Sequence, residues 1–108
     1  MLFELRQYRM KPGQKDSWVK FFEEVIVPFQ TARGMTILGS WTGEGDDNED
    51  LFVWIRRFEN EEDLNRLYSA VYETDEWKNE IGPRAGELLE RGKHVISRMS
   101  PTPSSKSS

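Results

Sequence analysis

From Leu51 to Phe58 the chain reads Leu-Phe-Val-Trp-Ile-Arg-Arg-Phe, and both alternating sets of positions begin apolar. In an extended strand Leu51, Val53 and Ile55 project to one side and Phe52, Trp54 and Phe58 to the other. A strand that is apolar on both faces needs cover on both. The helices encoded elsewhere in the chain can cover one face. A second copy of the same chain is the simplest cover for the other.

The flanking pattern supplies the remaining elements. Leu2 to Met10 alternates as a strand, with Phe3 and Leu5 on one face and Leu2, Glu4, Arg6, Tyr8 and Met10 on the other; Lys11-Pro12-Gly13 ends it. The period then changes: Trp18, Phe21, Phe22, Val25 and Phe29 recur at the spacing of an amphipathic helix. Pro28 lacks an amide proton, which predicts a break or kink near Val27 and a short turn through Ala32 that Gly34 terminates. Met35 to Gly43 is a second strand, joined to Leu51–Phe58 by the acidic segment Glu44 to Asp50, so the two form an antiparallel hairpin. Asn60 reads as a helix N-cap with Asp63 three residues on, ahead of a stripe of Leu64, Leu67, Tyr68, Val71 and Tyr72. Asp75 is placed to cap a turn carrying Trp77 and Ile81. Gly82-Pro83 restarts a helix bearing Leu88 and Leu89, and Gly92 suits the position after its end. Lys93 to Met99 is the last strand, and Pro101 to Ser108, rich in Ser and Pro, reads as a mobile tail.

The order β-α-β-β-α-β predicts an α+β, ferredoxin-like domain over residues 1–99: a four-stranded antiparallel sheet with two main helices on one face. The helix-facing side is expected to take Phe3 and Leu5. Glu4, Arg6, Tyr8, Trp54 and Phe58 then fall on the bare face, which two copies packed sheet to sheet would cover, as a dimeric α/β barrel.

Composition narrows the partners. At 108 residues the chain is one domain, able to bury roughly 60–70% of its unfolded surface. Hydrophobic residues make up only 36%, and four Trp, six Phe and three Tyr compensate with large buried areas. A net charge of −4 argues against nucleic acid, and Arg6, Arg9, Lys11 and Lys15 read as a solvated strand and turn rather than a phosphate-binding patch. Without cysteine there is no disulfide, thiolate nucleophile or Cys-bound metal. No apolar run reaches the length of a membrane span, and Leu2 onward reads as strand rather than signal peptide, so a cytoplasmic protein is the expectation.

The opening Phe3-Glu4-Leu5-Arg6-Gln7-Tyr8-Arg9-Met10-Lys11-Pro12-Gly13 resembles the signature of the NIPSNAP family, a strand carrying Glu-Leu-Arg-x-Tyr followed by Lys-Pro-Gly. Val27-Pro28, Gly39-Ser40-Trp41 and Asp75-Glu76-Trp77 also look like the family pattern, and the resemblance spans roughly Met1 to Met99. It implies the dimeric α/β-barrel fold and leaves activity unassigned. Strand three departs from the pattern, with Trp54-Ile55-Arg56-Arg57-Phe58 where many members carry His and Trp-x-Tyr.

Candidate chemistry is sparse. Glu4, Arg6 and Tyr8 share a strand face and form either a polar cluster that orients a small ligand or, the favoured reading, a structural ion pair with a hydrogen-bonded Tyr. His94 is the only histidine. It shares an alternation set with Ile96 and is a candidate base or haem ligand, although an ordinary satisfied or exposed histidine is the more frequent case. Trp41, Trp54 and Phe58 are candidate walls of a ligand cavity, against the plainer reading of strand packing. The acidic hairpin tip lacks the spacing of a calcium loop, and no phosphate loop, dinucleotide fingerprint or nucleophile elbow is present. No cofactor and no metal are called for. Two functions stay open. One is a homodimeric module that binds a small apolar or aromatic ligand or a partner. The other is a cofactor-independent isomerase, cyclase or monooxygenase acting on an aromatic or enolic metabolite, with His94 or Glu4 as base and Arg6 steadying an enolate.

Overall fold

In the computed structural model, which describes residues 1–105, four strands hydrogen-bond as one antiparallel sheet in the order β2-β3-β1-β4. They are β1 (Leu2–Arg9), β2 (Thr36–Thr42), β3 (Leu51–Phe58) and β4 (Val95–Met99). The helical segments are α1 (Lys15–Phe21), α2 (Val27–Ala32), α3 (Glu61–Tyr72) and α4 (Gly82–Leu88). The fold is the ferredoxin-like arrangement that the element order predicts. Asn60 caps α3 as its position implies, its side chain accepting from the Asp63 amide at 2.8 Å. Pro103–Ser105 make a single 3₁₀ turn, and residues 106–108 of the tail lie outside the described residues.

Pro28 does not break its helix. The chain passes from α1 through one π-helical turn, Phe22–Ile26, directly into α2. Within that turn the Val27 amide reaches back to the Phe22 carbonyl, one residue further than in an α-helix. The wider turn lets Pro28 enter at the start of α2, where an amide proton is dispensable. The second helical layer repeats the device. Trp77–Ile81 is a π turn in which the Gly82 amide bonds the Trp77 carbonyl, and Pro83 follows at the start of α4. Thr74, not Asp75, caps this helix: its hydroxyl accepts from the Trp77 amide at 3.2 Å. Gly92, with φ of 76°, serves the Arg91-Gly92 turn rather than the end of α4, which stops at Leu88 when Leu89 turns extended and bridges to Met10.

The pattern alone puts Phe3 and Leu5 beneath the helices and Glu4, Arg6, Tyr8, Trp54 and Phe58 on the uncovered face; the structure inverts the two faces. Tyr8, Phe52, Trp54 and Phe58 are buried, as are Glu4 and Arg56. Tyr8, Phe52 and Trp54 share a cluster with the helical residues Trp18, Phe22, Ile26, Ile81 and Leu88, while Phe58 joins Leu64, Leu67 and Val71 of α3 and Met35 just before β2. The larger aromatics fill the space under the helices, and the ionic pair is tolerable there because the helices bring hydrogen-bonding groups to meet it. Registration across the strands puts Phe3, Leu5, Leu51, Val53 and Ile55 together on the other face. Trp41 joins them, 53% exposed, with its indole lying so close over Gly39 that an added Cβ there would sit 2.9 Å from Cη2.

Candidate functional site

Alternation along β3 carries Arg56 into the covered layer, between Trp54 and Phe58 and directly across from Glu4 on β1. Glu4 Oε1 accepts from Arg56 Nη2 at 2.6 Å and Nε at 3.0 Å, and from Arg6 Nε at 2.9 Å. Its other oxygen accepts from the Tyr68 hydroxyl. Arg56 Nη1 donates to Gln30 Oε1 at 2.9 Å and to the Tyr72 hydroxyl at 2.8 Å. Its guanidinium lies 4.5 Å from the centroid of the Trp54 ring. Arg6 Nη1 donates to the Tyr8 hydroxyl at 3.2 Å, and Nη2 to that of Tyr68 at 3.0 Å. One carboxylate thus anchors two guanidiniums beneath the helices, and the polar strip separates the two apolar clusters.

Beside this network a cavity of about 280 Å³ opens between sheet and helices. Arg6, Tyr8 and Trp54 form its floor, and Trp18, Phe22 and Trp77 stand among its walls. Both π turns border it, through Phe22 and Ile26 on one side and Trp77 on the other. His94, just before β4, is an exposed residue at its edge, its ring centroid 4.4 Å from that of Tyr8. Burial pushes the Tyr8 hydroxyl pKa upward, with the positive charge of Arg6 opposing, so Tyr8 holds its proton at neutral pH. Burial also lowers the His94 pKa and Arg6 adds to the shift, which favours a neutral imidazole. For Arg6, burial acts to lower the pKa but is outweighed by Tyr8, Tyr72 and Glu4; the net shift is upward and the guanidinium stays charged.

Of the residues singled out in the sequence, Arg6, Tyr8, Trp54 and His94 converge on this cavity. Glu4 lies behind the wall with its oxygens engaged by Arg56, Arg6 and Tyr68, which leaves His94 as the accessible base. Phe58 is buried in the other apolar cluster, and Trp41 sits on the opposite face of the sheet. Arg56, Gln30, Tyr68, Tyr72 and Trp18 are participants the sequence reading passed over. Arg56 carried a usable signal: a charge in the alternation set of Phe52, Trp54 and Phe58. Among the described residues no group of three or more His, Asp or Glu side chains is arranged to hold a metal ion, and no helix is long and apolar enough to cross a membrane.

The ferredoxin-like fold is shared with an antibiotic biosynthesis monooxygenase. The two structures superpose with a TM-score of 0.66 at 17% identity, covering 95% of this chain and 100% of that one. Closer likeness is found to Atu4242 from Agrobacterium tumefaciens, with a TM-score of 0.86, 22% identity and 98% of each chain covered. An uncharacterized NIPSNAP domain protein from Burkholderia xenovorans gives 0.83 at 18% identity, over 95% of this chain and 96% of that one. At these identities the likeness concerns the fold. The NIPSNAP family model matches residues 3–106, and the chain belongs to the NIPSNAP family. No curated protein sequence matches it.

Proposed function

We propose that this NIPSNAP protein is a cytoplasmic homodimer that binds a small, flat organic molecule in the cavity beneath its helices. The observation that carries the reading is the convergence of Arg6, Tyr8 and His94 on one aromatic-walled space of about 280 Å³. That volume lies at the small end of ligand pockets, which suits one or two fused rings. Apolar walls with a few polar groups are what such sites use to hold and orient a ligand. Dimerisation is supported by the second, uncovered set of apolar side chains, with Trp41 and Val95 each more than half exposed. Light scattering should return twice the chain mass at micromolar concentration. Titration of small aromatic compounds, followed through protein NMR, should move signals of Tyr8 and His94; a panel that leaves both unmoved counts against the pocket.

A second reading, a cofactor-independent isomerase, cyclase or monooxygenase, is favoured by the contact between His94 and Tyr8 beside a permanently charged Arg6. A neutral imidazole could remove a proton next to a carbonyl, and Arg6 with Tyr8 could hold the resulting enolate. Once a substrate is in hand, His94→Ala should lower kcat by roughly 10²–10⁴-fold, the usual worth of a positioned base.

A further inference from the structure

The polar groups around the cavity are nearly all donors. Arg6 uses three of its five N–H bonds on Glu4, Tyr8 and Tyr68, which leaves two. The Tyr8 and Tyr72 hydroxyls accept from Arg6 and Arg56, and among the described residues neither hydroxyl proton meets an acceptor. The indole Nε1–H groups of Trp18 and Trp54 are buried away from the cavity itself, with Trp54 Nε1 beside the Tyr8 hydroxyl. All of these residues line the cavity, and no Asp or Glu does.

Charge points the same way. Behind the wall, Glu4 supplies one negative charge against the two positive charges of Arg6 and Arg56. Both guanidiniums are largely withdrawn from water, their side chains 13% and 1% exposed. Arg91 adds a further positive charge at the rim. In a chain of net charge −4, this one cavity is lined by two arginines, a histidine and no acid. Buried donors without acceptors are costly, and a buried cation without a full counter-charge is costlier. A bound anion would answer both.

We propose that the cavity is specific for an aromatic monoanion, a carboxylate or enolate on a planar ring system. Its oxygens would take the free protons of Arg6 and of the Tyr8 hydroxyl, while Phe22, Ile26 and Trp77 enclose the ring. The inference rests on the ligand-binding reading above and adds the sign of the ligand's charge.

The test compares matched probes on the full-length chain: 2-naphthoate against 2-naphthamide and benzoate against benzamide, titrated into ¹⁵N-labelled protein. Indole N–H signals are assigned by single Trp→Phe substitutions. The carboxylates should bind at least about tenfold more tightly than the amides, the usual worth of one charge-assisted hydrogen bond. The indole signals of Trp18, Trp54 and Trp77, which line the cavity, should move under the ring current of the bound probe while that of Trp41 stays. Tyr8→Phe, which keeps the ring and removes the hydroxyl, should weaken 2-naphthoate by about the same factor and 2-naphthamide by less. Amides that bind as tightly as the carboxylates, with the same signals moving, would overturn the anion assignment and leave ligand binding standing. Four probes that move none of these three indoles would overturn both readings. Tyr8→Phe protein that holds 2-naphthoate like the parent chain would remove the hydroxyl from the donor set and overturn the recognition mode proposed.

Discussion

Arg56 Nη2 lies 2.6 Å from Glu4 Oε1, across neighbouring strands and beneath the helices, where neither side chain is more than 1% exposed. The pair is the hinge of the site, because the same carboxylate oxygen also holds Arg6 in the cavity floor. Removing one member of a buried pair leaves a desolvated charge without its counter-charge. Glu4→Gln should therefore cost about 3–5 kcal/mol of stability, read from denaturant unfolding at fixed protein concentration. The double variant Glu4→Gln with Arg56→Met should recover part of that loss. A single variant as stable as the parent would show that the pair contributes nothing to the fold.

His94 ties stability to pH. Its pKa is depressed in the folded chain from the ordinary 6.5, first by the partial burial of its ring and second by Arg6. Below 6.5 the unfolded state therefore binds more protons than the folded one, and stability rises with pH across that window. The contribution is fully present above 6.5 and is lost as pH falls through the lower folded value. His94 is exposed, so the effect is small. Proton NMR of the imidazole should give a midpoint below 6.5, and His94→Gln should flatten the stability profile between that midpoint and neutrality. A midpoint above 6.5 would contradict both the partial burial of the ring and the influence of Arg6.

Gly82 is held by packing. A Cβ there, at the first residue of α4, would sit 2.9 Å from the carbonyl oxygen and 3.2 Å from Nε1 of Trp77, which opens the π turn bordering the cavity. Gly82→Ala should destabilise the chain by about 1–3 kcal/mol through overpacking. The Trp77 indole signal should shift with it. Gly86→Ala on the same helix, where a Cβ meets nothing within 4 Å, is the control and should be neutral or slightly stabilising.

The open face of the sheet makes the prediction for assembly. Ile55 lies at its centre, paired with Leu5 on one side and Gly39 on the other. Ile55→Asp should convert the proposed dimer to a monomer, costing association roughly 2 kcal/mol or more, the worth of a central contact. Sedimentation velocity distinguishes the two species, and a variant that sediments like the parent chain would place the interface elsewhere.

The periodicities carry most of the architecture. Alternation in Leu2–Arg9 and Leu51–Phe58, helical spacing from Trp18 to Phe29 and from Leu64 to Tyr72, and the Asn60 cap are local properties, written in neighbouring residues. Pro28 misled because its local effect, a lost amide proton, is absorbed by a π turn, and a π turn has no residue signature of its own. The two faces of the sheet exchange places relative to the pattern for a related reason. Glu4 and Arg56 look unsuited to a covered layer until Gln30, Tyr68 and Tyr72 are brought in from the helices to bond with them. Those partners stand far along the chain, and nothing near Glu4 announces them.

What the chain determined by itself was the order of its strands and helices, and that β3 would be apolar on both sides, since each follows from residue type at a fixed spacing. Only the tertiary structure decided which side meets the helices, and with it the cavity that joins Arg6, Tyr8, Trp54 and His94. Side-chain volume and the pairing of buried charge settle that choice. Both are properties of groups that become neighbours only after the chain has folded.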